Sequence, residues 1–385
     1  MLAATQNLEM KMTTKTPVDP NGLMEFSVVF TDRSLNHMSK SFQGVMTDIS
    51  SMLGEVYSAD EVALVPGGGT FAMEAVARQF GGGAHALIVR NGWFSYRWSQ
   101  IFEAGNFAAK TTVMKARQAG NDTRAPFAPA PIEDVVAAIR EAKPDVVFAP
   151  HVETSAGMIL PDDYLKAMSD AAHEVGALLV LDCIASGCIW VDMKATGVDV
   201  LISAPQKGWS ATPSAGLVMM SARAAARLAE TTSDSFSMDL KKWRAIMVAY
   251  EGGGHAYHLT MPTDGLRAFR DTMAETKDYG FEKLKAAQWD LGRKVRAILE
   301  AKGIKSVAAE GFQAPGVVVS YTDDPAVQNG SAFVAKGMQI AAGVPLQCDE
   351  PADFRTFRLG LFGLDKLYDV DGTVGRLTPV LDAVL

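Results

Sequence analysis

Short apolar runs alternate with helical patterns along most of the chain. Five runs are continuous and rich in branched side chains, as in strands buried on both faces of a sheet: 86–90, 145–150, 177–182, 198–203 and 215–219. Between them, apolar positions recur with helical spacing behind Pro131 and behind Pro161. Strand, helix and strand in this order need crossover connections, so we predict an α/β fold with a mostly parallel sheet.

The pattern changes near residue 265, and the change predicts a second domain. A long charged helix is predicted over 269–302, followed by a strand region over 311–322 and a helix-rich tail. We therefore predict an N-terminal arm over residues 1–22, a large domain over 23–265 and a smaller C-terminal α/β domain over 266–385.

Composition and charge indicate a soluble, globular, cytoplasmic protein. Of the 385 residues 48% are hydrophobic and 21% are charged, and the formal net charge is −8. No cluster of Lys and Arg forms a basic stretch, so we do not expect nucleic acid as a partner. No apolar run approaches the roughly 20 residues of a membrane span, so we do not expect a membrane partner. The cysteines, Cys183, Cys188 and Cys348, have neither metal-site nor disulfide-framework spacing.

Gly68, Gly69 and Thr70 stand between a strand-like run, 62–65, and a helical pattern, 71–80. Glycines let the backbone approach an anion, a helix N-terminus offers N–H groups, and Thr70 adds a hydroxyl donor, so this segment is a candidate phosphate seat. It lacks the lysine of a P-loop, and a nucleoside triphosphate is therefore not expected. A tight turn between strand and helix explains the same residues equally well.

Two polar residues follow buried strands further along the chain. Asp182 ends the most hydrophobic run, and Lys207 comes just after the next run. Because the carboxyl ends of neighbouring parallel strands meet at one edge, we expect both side chains to face one crevice. A lysine there is a candidate Schiff-base former if its pKa is lowered. Each residue taken alone also has a purely structural explanation. Asp182 is explained equally well as the cap of a turn, and Lys207 as a lysine whose charged end extends from a strand end into solvent.

A phosphate seat, a carboxylate and a lysine on successive strand ends are what pyridoxal 5′-phosphate requires. The seat anchors the phosphate, the carboxylate keeps the pyridine nitrogen protonated, and the lysine binds the cofactor and moves protons. The sequence therefore predicts pyridoxal 5′-phosphate as the cofactor, with Asp182 and Lys207 as the catalytic residues.

Over about residues 36–363 the chain resembles the class-V aminotransferases of the fold-type I superfamily, within the alanine–glyoxylate and serine–glyoxylate branch. The similar segments occur in the family's order: 67–74, 91–97, 151–157, 182–186, 203–209, 257–262 and 357–363. The resemblance implies a seven-stranded type of sheet in the large domain. It also implies an aminotransferase that moves an amino group from a small amino acid (alanine or serine favoured) to a small 2-oxo acid (glyoxylate or pyruvate favoured).

The resemblance further implies roles for single residues around the cofactor. Phe94 would stack on the pyridine ring, and Ile184 would lie under it. Thr154 would bond near the 3′ oxygen, and Gln206 would lie beside the phosphate. Lys207 would be the Schiff-base lysine.

The same family pattern implies how substrate and subunits meet. Tyr257 and Thr260 would reach the phosphate held by the other subunit, which implies a homodimer with shared active sites. Arg358 would hold the substrate carboxylate with two parallel hydrogen bonds, which a planar guanidinium does better than an ammonium group.

Departures from the family pattern leave the substrate open. Segment 28–39 replaces the usual loop that shapes the substrate pocket, and Arg33 within it is either a second anion contact or a surface residue. One alternative is a pyridoxal-phosphate-dependent lyase or cysteine desulfurase-like enzyme that uses Cys348 or Cys183. Another is a catalytically silent binding protein with this fold.

Overall fold

The structure is a computed structural model that describes residues 18–27, 33–120 and 122–385. Its strands are β1 Glu61–Pro66, β2 His85–Arg90, β3 Lys110–Lys115, β4 Arg117–Gln118, β5 Phe127–Ala128, β6 Val146–Pro150, β7 Val152–Glu153, β8 Met158–Ile159, β9 Leu178–Asp182, β10 Val200–Ser203, β11 Ala215–Met220, β12 Val317–Tyr321, β13 Ala341–Ala342 and β14 Thr356–Gly360.

Its helices lie between and after these strands. They are α1 Lys40–Tyr57, α2 Gly69–Gly81, α3 Trp93–Gly105, α4 Ile132–Ala142, α5 Asp162–Glu174, α6 Met193–Thr196, α7 Ala222–Glu230, α8 Leu240–Glu251, α9 Thr263–Tyr279, α10 Phe281–Ala301, α11 Pro325–Gln328, α12 Ser331–Val334, α13 Leu364–Leu367 and α14 Val370–Val384. Among the described residues, no helix is both long and apolar enough to cross a membrane.

Within the described residues, seven strands form the main sheet in the order β1-β11-β10-β9-β6-β2-β3. The pairings β10/β9, β9/β6, β6/β2 and β2/β3 are parallel, whereas β11 is antiparallel to both β1 and β10. Within this sheet, every strand except β11 therefore runs in the same direction. The predicted mostly parallel α/β fold is confirmed, and the five apolar runs correspond to β2, β6, β9, β10 and β11.

The central strands are buried along their whole length. Every residue of β6, β9, β10 and β11 is buried, as is typical of strands with both sheet faces covered. Strand β3 at the sheet edge was not among the predicted runs. Its residues are exposed or half-buried, so its sequence lacks the apolar signal of a central strand.

The C-terminal part carries a three-stranded antiparallel sheet in the order β12-β14-β13. Helix α10 packs against β12 and α14 behind this sheet. The prediction of a single helix over 269–302 is wrong. The helix is interrupted at Gly280, whose φ is +108°, so α9 and α10 are separate helices. The predicted boundary after residue 265 falls inside α9, which packs against α1. That boundary stays a prediction.

The structure describes only part of the two N-terminal segments for which predictions were made, the arm and the segment 28–39. Of the predicted arm over 1–22, residues 1–17 lie outside the described residues, and so do residues 28–32 of the segment 28–39. The described residues Leu23, Met24 and Phe26 are each almost fully exposed. Tyr250 on α8 donates from its hydroxyl to the carbonyl of His37, which attaches the end of the segment 28–39 to the large sheet's helices.

Candidate active site

The glycine turn lies between β1 and α2, as the sequence predicts. Strand β1 ends at Pro66, and Gly67 turns the chain at a φ of +119°, which only glycine adopts readily. Gly68 then caps α2, which begins with Gly69 and Thr70. The positive end of the α2 dipole therefore faces this turn.

Ile184 packs directly against the glycine turn. A methyl group added to Gly69 would lie 2.8 Å from Cγ1 of Ile184, so Ile184 would have to shift to admit a side chain there. Because Ile184 is two residues beyond Asp182 at the end of β9, the contact brings the turn and the predicted acidic residue into one site.

Asp182 is the last residue of β9 and is 7% exposed. Its Oδ1 accepts a hydrogen bond of 2.9 Å from the backbone N–H of Ile184. Among the described residues, Oδ2 has no hydrogen-bond partner. Burial raises the pKa of Asp182 to about 7, although the Ile184 N–H and the Arg97 guanidinium act to lower it.

Lys207 lies in the turn after β10, which is the parallel neighbour of β9. Its side chain is half-buried, and Nζ is 5.5 Å from the ring centre of Phe362. Burial lowers the pKa of this amine, and the charges of Arg358 and Arg97 lower it further. A larger fraction of the amine is therefore neutral than in a surface lysine, and a neutral amine can act as a nucleophile or a base.

The Phe94 ring lies close to two cationic side chains. Its ring centre is 4.8 Å from the guanidinium carbon of Arg97 and 5.5 Å from that of Arg358. Arg358 comes from β14 of the small sheet, where its Nε donates to the carbonyl of Ala342. Burial lowers the pKa of Arg358 as well. The Phe94 ring thus lies beside side chains from both the large-sheet region and the small sheet.

Arg97 connects the Phe94 ring to the glycine turn. Its Nη1 donates to the hydroxyl of Thr70 over 3.1 Å, and its charge acts on both Asp182 and Lys207. Arg97 lies in segment 91–97, which resembles the family, but the resemblance implies no role for this residue. Its position three residues after Phe94 on a helix is the signal that places the two side chains on the same face.

The other predicted site residues lie in turns and loops. Gln206 is exposed in the turn before Lys207, and Thr154 is half-buried just after β7. The hydroxyl of Tyr257 is 3.5 Å from that of Thr260, and both residues are exposed. Among the described residues, neither Tyr257 nor Thr260 hydrogen-bonds to any residue of the cluster.

Pyridoxal 5′-phosphate fits the residues present. The group needs a phosphate seat, an acidic oxygen for its ring nitrogen, an aromatic face and a reactive amine. The glycine turn offers the seat, where a side chain at Gly69 would collide with Ile184. The Asp182 oxygen Oδ2, the Phe94 ring and the half-buried Lys207 amine offer the other three.

Comparisons with known proteins give the family of the chain. The family described as Aminotransferase class-V matches residues 25–343. A 2-aminoethylphosphonate–pyruvate transaminase from Paraburkholderia phymatum is 27% identical over 359 residues, which cover 90% of this chain and 89% of that relative.

Solved structures of similar proteins share the fold. An alanine–glyoxylate aminotransferase from Nostoc sp. has a TM-score of 0.74 at 23% identity, with 91% of this chain and 89% of that chain covered. A ureidoglycine–glyoxylate aminotransferase from Bacillus subtilis has a TM-score of 0.73 at 22% identity, with 91% and 88% covered. The chain therefore belongs to the class-V aminotransferase family.

Proposed function

We propose that this aminotransferase uses pyridoxal 5′-phosphate and that the cluster around Lys207 is its active site. The observation that carries the proposal is the clustering of Asp182, Lys207 and Arg358 with Arg97, which also bonds to Thr70 of the glycine turn. The charge of Arg97 acts on both Asp182 and Lys207, the charge of Arg358 acts on Lys207, and both guanidinium groups lie beside the Phe94 ring. The cofactor would be held by Gly68, Gly69, Thr70, Phe94, Thr154, Asp182, Ile184, Gln206 and Lys207.

The chain's own groups divide the work of the reaction. Bound pyridoxal phosphate would supply an electron sink for negative charge that develops at the substrate carbon. Lys207 Nζ takes the proton from that carbon and later returns one. Asp182 places a negative charge at the buried end of the site, and Arg358 orients the substrate anion so that the bond to be broken is correctly aligned.

The proposed substrates are a small amino donor and a small 2-oxo acid. Alanine or serine is the donor that the family branch favours, and glyoxylate or pyruvate is the acceptor. A second donor, 2-aminoethylphosphonate, is favoured by the name of the relative that aligns with 90% of this chain. Both donors carry one anionic group, which Arg358 would bind.

The lyase or desulfurase alternative is not favoured by the state of the thiols. Cys348 is 4% exposed, and its Sγ donates to the carbonyl of Arg90 over 3.4 Å. Burial raises the pKa of Cys348 to about 12, and burial also raises the pKa of Cys183. A protonated, buried thiol is a poor nucleophile.

We further propose that two copies of the chain form the active enzyme in the cytoplasm. Phe71, which packs at the glycine turn, is 53% exposed, and Tyr257 is 59% exposed. Apolar side chains exposed near a site are typical of a subunit interface. A second subunit would bring Tyr257 and Thr260 to the phosphate of the first.

A half-reaction screen tests the proposed function. Enzyme loaded with pyridoxal phosphate is mixed with single amino donors, and its visible spectrum is recorded for conversion to the pyridoxamine form. We expect conversion by alanine, serine or 2-aminoethylphosphonate, and none in Lys207→Ala. Glu174→Gln, which alters an exposed ion pair with Arg140, is the control that should react like the wild type. Normal transamination by Lys207→Ala would contradict the proposal.

A further inference from the structure

A buried acidic residue, Glu153, lies behind the proposed site and has no role in the function described above. It is the last residue of β7, and its side chain is completely buried. Within the described part of the chain, no Lys, Arg or His lies within ion-pair distance of its carboxylate. A buried charge without a counter-ion is costly unless hydrogen bonds compensate it, so the partners of Glu153 indicate its purpose.

Both oxygens of Glu153 accept hydrogen bonds from the first turn of α3. Oε1 accepts from the backbone N–H of Phe94 over 3.2 Å. Oε2 accepts from the N–H and the hydroxyl of Ser95 over 2.9 and 2.7 Å. The first turn of a helix carries N–H groups without partners inside the helix, and a carboxylate at that end also interacts favourably with the helix dipole.

Ser155 completes the cap around the same carboxylate. Its N–H and hydroxyl donate to Oε1 of Glu153 over 3.1 and 2.7 Å. The Ser155 oxygen in turn accepts the N–H of Trp93 over 2.9 Å. Glu153 and Ser155 together therefore bind the N–H groups of Trp93, Phe94 and Ser95, which begin α3.

The backbone at Gly92 is adapted to this arrangement. A methyl group on Gly92 would lie 2.7 Å from both Cδ and Cγ of Glu153 and would also collide with the Ser155 hydroxyl. Only glycine lets the start of α3 approach the carboxylate so closely. The contact joins residues about sixty positions apart, so it fixes the tertiary placement of the helix end and does more than stabilise a local turn.

The helix end held in this way carries Phe94, whose ring lies beside the guanidinium groups of Arg97 and Arg358. We propose that Glu153 is a positioning residue of the active site: its buried carboxylate fixes the first turn of α3 and thereby holds the Phe94 ring beside Arg358. Its negative charge also acts on Arg358 and Asp182, which it does not contact.

A cofactor-free experiment tests the first half of this proposal. Hydrogen exchange is measured for the backbone amides of Trp93, Phe94 and Ser95 in the wild type and in Glu153→Gln. An amide side chain has one acceptor oxygen in place of two, so we expect these amides to exchange at least about tenfold faster, while the later turns of α3 keep their rates. Unchanged exchange at these three amides would overturn the proposal.

A double-mutant cycle tests the second half, which rests on the proposed function. The affinity of the apoprotein for pyridoxal phosphate is measured by quenching of tryptophan fluorescence in wild type, Glu153→Gln, Phe94→Leu and the double variant. If Glu153 acts through Phe94, Glu153→Gln weakens binding about tenfold in the wild type and less than about threefold beside Phe94→Leu. Equal losses in both backgrounds would contradict the proposal.

Matched variants separate positioning from general destabilisation. Asp199 is also a buried carboxylate, and it accepts from the N–H of Leu179 at the opposite edge of the sheet. Asp199→Asn should lower thermal stability as Glu153→Gln does but leave cofactor affinity unchanged. If Glu153→Gln does not fold, Ser155→Ala removes the acceptor of the Trp93 N–H and should give a smaller effect of the same sign. Failure of the wild type itself to bind the cofactor would refute the proposed function and leave the exchange result to decide the role of Glu153.

Discussion

Burial acts in opposite directions on Asp182 and Lys207, because it disfavours the charged form of each. It raises the pKa of the Asp182 carboxyl to about 7 and lowers the pKa of the Lys207 amine. Both groups therefore titrate closer to neutral pH than they would at the surface. An acid or a base transfers protons most effectively when its pKa lies near the working pH, so these shifts suit a site that moves protons.

At the residue scale, the shift at Asp182 predicts how the stability of the cofactor-free protein depends on pH. The folded pKa of about 7 lies above the ordinary value of 3.8, so the native state holds the proton more tightly than the unfolded state. Stability attributable to this group is therefore full at low pH and falls as pH rises between these two values. Relative to Asp182→Asn, the wild type should lose up to about 4 kcal/mol across that window.

Urea unfolding of the apoproteins at a series of pH values measures this difference. Beyond the folded pKa the two curves should run parallel, since Asp182 is ionised in both states. Parallel curves over the whole range would show that burial does not affect the carboxyl as described.

At the element scale, a single glycine interrupts the helical segment that connects the large sheet's side of the molecule to the small sheet. Gly280 joins α9, which packs on α1 beside the large sheet, to α10, which packs against β12 of the small sheet. Its φ of +108° lies in a region that other residues rarely adopt. The charged, periodic sequence on both sides predicts one helix, because helical periodicity continues across the break.

Replacing Gly280 should therefore cost stability even though space is available. The nearest heavy atom to an added methyl group would be Cβ of Lys283 at 3.8 Å, so the cost of Gly280→Ala comes from the backbone and should be about 1–2 kcal/mol. Gly375→Ala is the matched control, because Gly375 lies inside α14 with no atom within 4 Å of the added methyl group. That change should stabilise the protein by about 0.5–1 kcal/mol.

Thermal unfolding of both variants measures these effects. Equal changes in Gly280→Ala and Gly375→Ala would show that the left-handed backbone at Gly280 is not the cause.

At the scale of the whole molecule, the proposed site would draw on two copies of the chain. Tyr257 and Thr260 hydrogen-bond to each other, and within the described residues neither hydrogen-bonds to the cluster around Lys207. Two identical chains related by a two-fold axis would each give these residues to the other, because such an interface is reciprocal. This arrangement predicts that one subunit can repair a defect in its partner.

Complementation between two inactive variants tests this prediction. In a mixed dimer of Lys207→Ala and Tyr257→Ala, one site combines an intact lysine with an intact tyrosine, whereas the other site lacks both. Random pairing of equal amounts should therefore restore about a quarter of the wild-type active sites. Activity and bound cofactor are measured after co-expression, with each variant alone as the control. No recovery in verified mixed dimers would contradict shared sites.

The sequence by itself determined the α/β class and the placement of Asp182 and Lys207 at one sheet edge. Both follow from short-range properties: apolar runs buried on both faces, helical spacing between them, and polar residues directly after the strands. The same patterns identified the glycine turn, because a strand end and a helix start adjoin it. These features need no knowledge of which distant segments meet.

Only the tertiary structure decided which residues surround the lysine and how they are held. Arg97 on α3 and Arg358 on β14 both lie beside the ring of Phe94, although α3 adjoins the large sheet and β14 belongs to the small one. Glu153 caps a helix that begins about sixty residues earlier, and β11 enters the sheet antiparallel to its neighbours. Such contacts depend on the packing of segments far apart in the chain, where side-chain pattern and local conformational preference carry no information about the partner.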